Sequence, residues 1–281
     1  MKKTTLLNPT TSGRRGMSRQ DFSIISAKKP EKSLVLGKKK MAGRSGGKIS
    51  VRHQGGGQKR LYRLVDFAQK NKKISAVVKS IEYDPNRTAR IAQLIFENGS
   101  KKYVIAPTSI KIGQKISFDP KNKKIGNRMP LSEIPESSHI YNIEINPGKG
   151  GQIVRAAGTH AILMAKEGKY AIVQLPSKEI RKFLLTCEAN IGRISNPSNR
   201  DLQIGKAGRK RRMGIRPTVR GTAMHPGAHP HGGGEGRSGI GFPGPKTPWG
   251  KPALGVKTRK PKQSDKMIIK RRPPKKKKGK R

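Results

Sequence analysis

The stretch Arg90–Ala106, RIAQLIFENGSKKYVIA, decides the fold of this 281-residue chain. Two apolar runs flank Asn98-Gly99, and an Asn-Gly pair between such runs is the strongest short-range signal for a β-hairpin. Upstream, the β-branched residues of Ile74–Tyr83 (ISAVVKSIEY) predict a strand, and downstream Lys111–Phe118 predicts another. Short strands separated by turns indicate a small β-barrel.

A second set of strands follows the polar linker PKNKKIGNRMP. Ile140–Ile145 (IYNIEI) alternates with a period of two, His160–Ala165 and Tyr170–Leu175 flank the turn KEGK, and Glu179–Thr186 adds a further strand. Helix signals are weak, with one candidate turn at Leu131–Ile134. We therefore predict a mainly β protein with two barrels in succession.

Charge separates these barrels from the two ends of the chain. Lys and Arg number 64 against 16 Asp and Glu, which gives a formal net charge of +48. The predicted segments are a basic N-terminal extension (1–42), a first barrel (43–120), a second barrel (121–200) and an extension rich in Gly, Pro, Arg, Lys and His (201–281). The extensions cannot bury enough apolar area to fold alone, so we expect them to become ordered by neutralising phosphates of nucleic acid.

Other partners and compartments fit the sequence less well. An anionic membrane surface would need a basic amphipathic helix or a lipid anchor, and the Gly- and Pro-rich 201–281 predicts neither. No apolar run reaches the ~18 residues of a membrane span, and the first residues do not read as a signal peptide. The one cysteine, Cys187, excludes an internal disulfide and a Cys-based zinc site. We expect neither a membrane partner nor a small-molecule substrate.

Three Gly-rich segments carry the candidate binding residues. They are Val51–Arg60 (VRHQGGGQKR), Asn146–Gln152 (NPGKGGQ) and Arg216–Lys257. Glycine lets a phosphate backbone approach the peptide closely, and the Arg, Lys and His among the glycines supply hydrogen-bond donors. The alternatives are flexible linkers or nucleotide loops. No GxxxxGK[ST] is present, and the GxGxxG spacing at Gly239–Gly244 encloses Pro243, so RNA contact is the favoured interpretation.

The histidines of the third segment allow three interpretations. His225, His229 and His231 lie close to Glu235, as in a metal site, but the intervening prolines and glycines prevent the helix that would bring their side chains to one face. A second interpretation is a catalytic general base, for which His229 is the weak candidate. A general base needs a partner that orients it, and the sequence does not show one. The third interpretation is RNA contact, since imidazole stacks on bases and bonds to phosphates or 2′-hydroxyls.

Several segments together resemble the ribosomal protein L2 family. The most specific are RPTVRG (216–221) and HPHGGGEGR (229–237). The others that match in order are NPTTSGRRGMSRQDF, KPEKSL, VRHQGGGQKR, EYDPNR, NPGKGGQ, RAAG, AKEGKYA, GKAGRKRR and TPWGKP. The similarity covers essentially the whole chain.

This resemblance implies a fold, a function and partners. The fold is an OB-like barrel followed by an SH3-like barrel, with basic extensions that thread into the rRNA. The function is primary binding of 23S-type rRNA near the peptidyl-transferase centre, supporting subunit association, tRNA placement and peptide-bond formation by the RNA. The partners are that rRNA, neighbouring large-subunit proteins and small-subunit rRNA at an intersubunit contact, in a cytoplasmic (bacterial) or organellar ribosome. No cofactor is implied beyond Mg²⁺ ions held by the rRNA.

Two departures from the family pattern bear on the function. The family usually has Asp where Ala228 stands, so His229 lacks an adjacent carboxylate to orient it, and an enzymatic role is disfavoured. It also commonly has Trp where Arg212 stands.

The basic runs Lys38–Lys40, Arg209–Arg212 and Lys275–Lys278 are expected to contact phosphates. Replacing any single residue of these runs is expected to have little effect.

The residues expected to contact RNA are Arg52, His53, Gly55, Gly56, Gly57, Lys59, Arg60, Tyr62, Arg63, Arg87, Arg90, Lys149, Arg155, Lys206, Arg209, Arg211, Arg212, Arg216, Arg220, His225, His229, His231, Gly232, Gly233, Gly234, Arg237, Trp249 and Lys251.

Overall fold

A computed structural model describes residues 4–27, 29–37, 41–69, 74–116 and 123–273. The chain forms two compact units, one made of residues 1–39, 59–206 and 264–281, the other of residues 40–58 and 207–263. Each unit therefore draws on distant parts of the sequence. The four-segment division drawn from charge and turn signals stays a prediction.

The described residues are mainly β, with one six-residue α-helix, α1 (Ala207–Arg212), and four short 3-10 helices. The strands in chain order are β1 (Thr5–Leu6), β2 (Ser18–Arg19), β3 (Val35–Gly37), β4 (Arg44–Ser45), β5 (Lys48–Ile49), β6 (Leu61–Arg63), β7 (Ala76–Glu82), β8 (Ile91–Phe96), β9 (Lys101–Ile105), β10 (Lys115–Ile116), β11 (Arg128–Pro130), β12 (His139–Tyr141), β13 (Ala161–Glu167), β14 (Tyr170–Gln174), β15 (Ile180–Leu184), β16 (Glu188–Ile191) and β17 (Ile268–Lys270).

The first sheet of the larger unit contains the hairpin predicted around Asn98-Gly99. Its strand order is β10-β7-β8-β9, and all its pairs are antiparallel. Residues on both faces of β8 are buried, and five of its six residues (IAQLIF) are apolar rather than alternating with polar ones. Ala76, Val78, Leu94 and Phe96 form its core with residues from β9 and β10.

The second sheet of the same unit has the order β11-β16-β12-β13-β14-β15-β17. The predicted hairpin across KEGK is β13–β14. Strand β12 ends at Tyr141, sooner than the alternating IYNIEI predicts, and Ile143 forms an isolated bridge with Ile153 instead. Leu131–Ile134 is a turn and not a helix. A third cluster, which includes Ile105, Tyr141 and Ile194, joins this sheet to the first.

The predicted basic extensions contain short regular elements. Strand β1 pairs with β2, β3 pairs with β6, and β17 adds to the edge of β15. Of the predicted strand at Lys111–Phe118, the structure has β10, and its last two residues lie outside the described residues. Within the described ranges, no helix has the length and apolar character that crossing a membrane requires.

Candidate nucleic-acid interface

The Gly-rich segment Val51–Gln58 is held against the chain that follows α1. The Gly55 N–H donates to the Gly214 carbonyl at 2.8 Å, the Gln58 N–H to the Arg212 carbonyl at 2.9 Å, and the Arg216 N–H to the His53 carbonyl at 2.9 Å. This ladder joins two predicted RNA-binding segments that lie about 160 residues apart in the sequence. The segment is therefore a fixed element rather than a linker.

Close backbone approach requires glycine within this ladder. A Cβ at Gly57 would lie 2.8 Å from the Gly214 Cα and 2.9 Å from its nitrogen. Because both are backbone atoms, no change of side-chain rotamer could remove this clash. Gly56 has φ +63°, and a Cβ there would meet the Arg211 guanidinium, which donates to the Gly55 carbonyl at 3.2 Å. These glycines let the Arg211 side chain of α1 and the Gly214 backbone come close to the loop.

A second cationic cluster surrounds Phe67 in the larger unit. The Arg155 guanidinium carbon lies 4.5 Å and that of Arg87 5.4 Å from the centre of the Phe67 ring. Arg87 is also paired with Asp84, in the turn EYDPNR. The Arg60 guanidinium donates to the Pro85 carbonyl of the same turn at 3.2 Å. Three predicted RNA-binding arginines from distant segments thus converge on one patch.

The loop Asn146–Gln152 is positioned by a buried carboxylate. Glu144 accepts hydrogen bonds from the Gly150 N–H at 2.9 Å and the Gly148 N–H at 3.2 Å. Arg128 pairs with Glu144 at 2.9 Å and with Glu188 at 3.1 Å, and all three side chains are buried. Residues 146–149 remain exposed at the tip, so the loop presents Lys149 to solvent.

The loop that contains His225, His229 and His231, here called the histidine loop, is built around the two buried imidazoles of His229 and His231. His229 Nδ1 accepts the His231 N–H at 3.0 Å, and His231 Nε2 accepts the Lys246 N–H at 2.7 Å. The His229 ring packs closely against Gly221, where a Cβ would be 2.5 Å from the ring atoms Cε1 and Nδ1. Both histidines are therefore occupied in shaping the loop, whereas His225 is exposed.

Most of the predicted residues reach the surface. Those that are exposed are Arg52, Gly56, Lys59, Lys149, Arg155, Lys206, Arg212, Arg216, Arg220, His225, Gly234, Arg237, Trp249 and Lys251. Those of intermediate exposure are His53, Gly55, Gly57, Arg60, Tyr62, Arg87, Arg209, Arg211, Gly232 and Gly233. The basic runs Lys38–Lys40 and Lys275–Lys278 lie outside the described residues.

Two family models match the chain over most of its length. Residues 31–118 match Ribosomal Proteins L2, RNA binding N-terminal domain, and residues 124–250 match Ribosomal Proteins L2, C-terminal domain. The chain belongs to the ribosomal protein L2 family. It is therefore a structural constituent of the ribosome that binds rRNA. The predicted fold class, an OB-like barrel followed by an SH3-like barrel, is confirmed by the L2 matches and the mainly β structure.

Two arginines within the L2 RNA-binding match are buried. Arg63 donates to the Leu61 carbonyl at 3.0 Å, and Arg90 donates to the Asp21 carbonyl at 3.1 Å. Arg90 also stacks on Phe22, and burial lowers its pKa from the ordinary value. Neither guanidinium is presented to solvent, so we leave both out of the interface proposed below.

The sequence does not single out two residues of the candidate interface, Arg44 and Phe67. Arg44 is exposed on the β4–β5 hairpin, and its signal was the Gly46-Gly47 turn beside it. Phe67 had no distinguishing local signal, because the arginines that stack on it come from other segments. Among the described residues no three His, Cys, Asp or Glu side chains group as metal ligands.

Proposed function

We propose that this chain is a primary binder of 23S-type rRNA near the peptidyl-transferase centre of the large subunit. In this role it supports subunit association, tRNA placement and peptide-bond formation by the RNA. The observation that carries the proposal is the ladder between Val51–Gln58 and the chain after α1, which fixes exposed arginines on a glycine-rich backbone. Such a surface suits phosphates at close range and reads no base by itself.

The proposed interface has two parts that contact separate RNA segments. In the smaller unit it comprises Arg52, Arg212, Arg216 and Arg220 with the exposed tip of the histidine loop, and in the larger unit it comprises the arginines around Phe67 and Lys149. Neighbouring large-subunit proteins and small-subunit rRNA are the proposed further partners. Any Mg²⁺ in the complex would be held by the rRNA. The chain's role is structural, with His229 shaping its loop.

Co-sedimentation with crosslinked-RNA sequencing tests this function. The tagged protein is run through a sucrose gradient after ultraviolet irradiation, and the attached RNA is sequenced. We expect crosslinks at a few large-subunit rRNA sites, with the protein in the large-subunit and monosome fractions. Diffuse crosslinks over cellular RNA, with the protein at the top of the gradient, would instead indicate a general RNA chaperone.

A further inference from the structure

The smaller unit contains a cationic cleft beside the Gly-rich loop. Its volume is about 500 Å³. The residues lining it are Ala42, Arg44, Ile49, Val51, Arg52, His53, Gln54, Gly55, Gly56 and Arg216. A volume of this size is typical of pockets that hold a small organic group. A phosphate backbone running over a flat surface would leave such a space unfilled.

The lining combines the two chemistries of a nucleotide. Ala42, Ile49 and Val51 supply apolar surface, while three arginines supply positive charge, and no carboxylate lines the cleft. Ile49 and Val51 are 60% and 55% exposed, so apolar surface is open at this place. Apolar contact suits the face of a base, and the guanidinium groups suit its phosphate.

The cleft is shaped before any ligand arrives. The Ser50 and Val51 N–H groups both donate to the Gly43 carbonyl, at 2.8 and 3.0 Å, which closes the loop carrying the apolar wall. The hydrogen bond from the Arg216 N–H to the His53 carbonyl, at 2.9 Å, fixes these two lining residues to each other. Arg52 is anchored by Trp249, whose ring centre lies 5.2 Å from the guanidinium carbon. A preformed cleft reduces the ordering cost of binding.

We propose that this cleft receives one unpaired, unstacked nucleotide of the rRNA, with its base against Val51 and Ile49 and its phosphate between Arg44, Arg52 and Arg216. The proposal rests on the rRNA-binding function above and adds the kind of RNA structure that the site selects. A base inside a continuous helix cannot enter, because it is stacked on both sides. The site therefore favours a bulge or a loop.

Filling the cleft provides the test. In Val51→Trp the indole occupies the space of the base, and the affinity of the full chain for a transcript of the large-subunit rRNA should fall about tenfold, as expected when one stacked base is displaced. Ile112→Trp is the matched control, because Ile112 is 55% exposed like Val51, does not line the cleft and lies outside the Gly-rich segments. Its affinity should stay within about twofold of wild type.

Crosslinking gives a second test, in which the readout is the identity of the contacted nucleotide rather than the affinity. With p-benzoylphenylalanine in place of Val51, the full chain should crosslink to one nucleotide that is unpaired in the rRNA, whereas the same group in place of Ile112 should not label that nucleotide. Crosslinks from position 51 to paired nucleotides, or a Val51→Trp affinity equal to that of the control, would overturn the cleft proposal and leave the rRNA-binding function standing. If the wild-type chain does not prefer this rRNA over unrelated RNA, both proposals fall.

Discussion

At the residue scale, the buried Arg128 holds together a network of buried polar groups. It bonds to Glu144, Glu188, the Asn142 carbonyl and the Asn190 side chain. Arg128→Met would leave two carboxylates buried without their cation, so we expect the free energy of unfolding to fall by about 3–5 kcal/mol. Urea unfolding of the full chain measures this.

Arg200→Met is the control for that measurement. The Arg200 side chain is 87% exposed, and a change there should alter the free energy of unfolding by less than about 0.5 kcal/mol. Equal losses in the two variants would contradict the role given to Arg128. Because Glu144 also accepts from Gly148 and Gly150, the Arg128 variant should expose the amide protons of that loop to exchange.

Substitutions of His229 distinguish a role in shaping its loop from a role as a catalytic base. Its Nδ1 accepts the His231 N–H, and the amide oxygen of Asn can occupy the same position. We expect His229→Asn to enter large subunits like the wild type and His229→Ala to enter them less efficiently, because Ala leaves a buried N–H without an acceptor. Particles that contain the Asn variant should form peptide bonds at the wild-type rate. Loss of that rate in well-assembled Asn particles would indicate a general base.

At the scale of elements, the hairpins were predictable because their signals are local. Asn98-Gly99 with its flanking runs predicts β8 and β9, and KEGK predicts β13 and β14. Strand β17 was not predictable, since three residues in a basic tail become a strand only by pairing with β15. Strand β12 stops early because the next residues lie in the buried network around Arg128 and Glu144, which alternation in the sequence does not reveal.

The ladder beside α1 gives the element-scale prediction. Gly57→Ala places a Cβ against the Gly214 backbone, so the Gly55 and Gln58 amides should lose protection against hydrogen exchange, and affinity for rRNA should fall. Gly239→Ala is the control, because a Cβ at Gly239 has open space around it. Similar exchange rates and affinities in both variants would show that the ladder does not position the interface.

At the scale of the whole molecule, the net charge predicts that the partner is nucleic acid, but it does not predict which arginines are exposed to contact it. A net charge of +48 with glycine among the basic residues indicates nucleic acid. Which arginines face solvent depends on tertiary packing, and Arg63 and Arg90 look no different in sequence from Arg52 and Arg216. The stacking of Arg87 and Arg155 on Phe67 likewise arises only when the turn EYDPNR and the segment after Asn146–Gln152 come together.

Salt dependence tests the electrostatic account of the whole interface. Each neutralised phosphate releases counterions, so with 6–10 phosphate contacts the affinity for rRNA should fall about 10³–10⁵-fold between 50 and 200 mM salt. Arg220→Gln removes an exposed cation of the proposed interface and should reduce the slope of log affinity against log salt by about one. Lys169→Gln, at an exposed cation in the turn between β13 and β14, should leave the slope unchanged. A shallow wild-type slope would mean that apolar and base contacts dominate binding, and the many exposed arginines would then need another explanation.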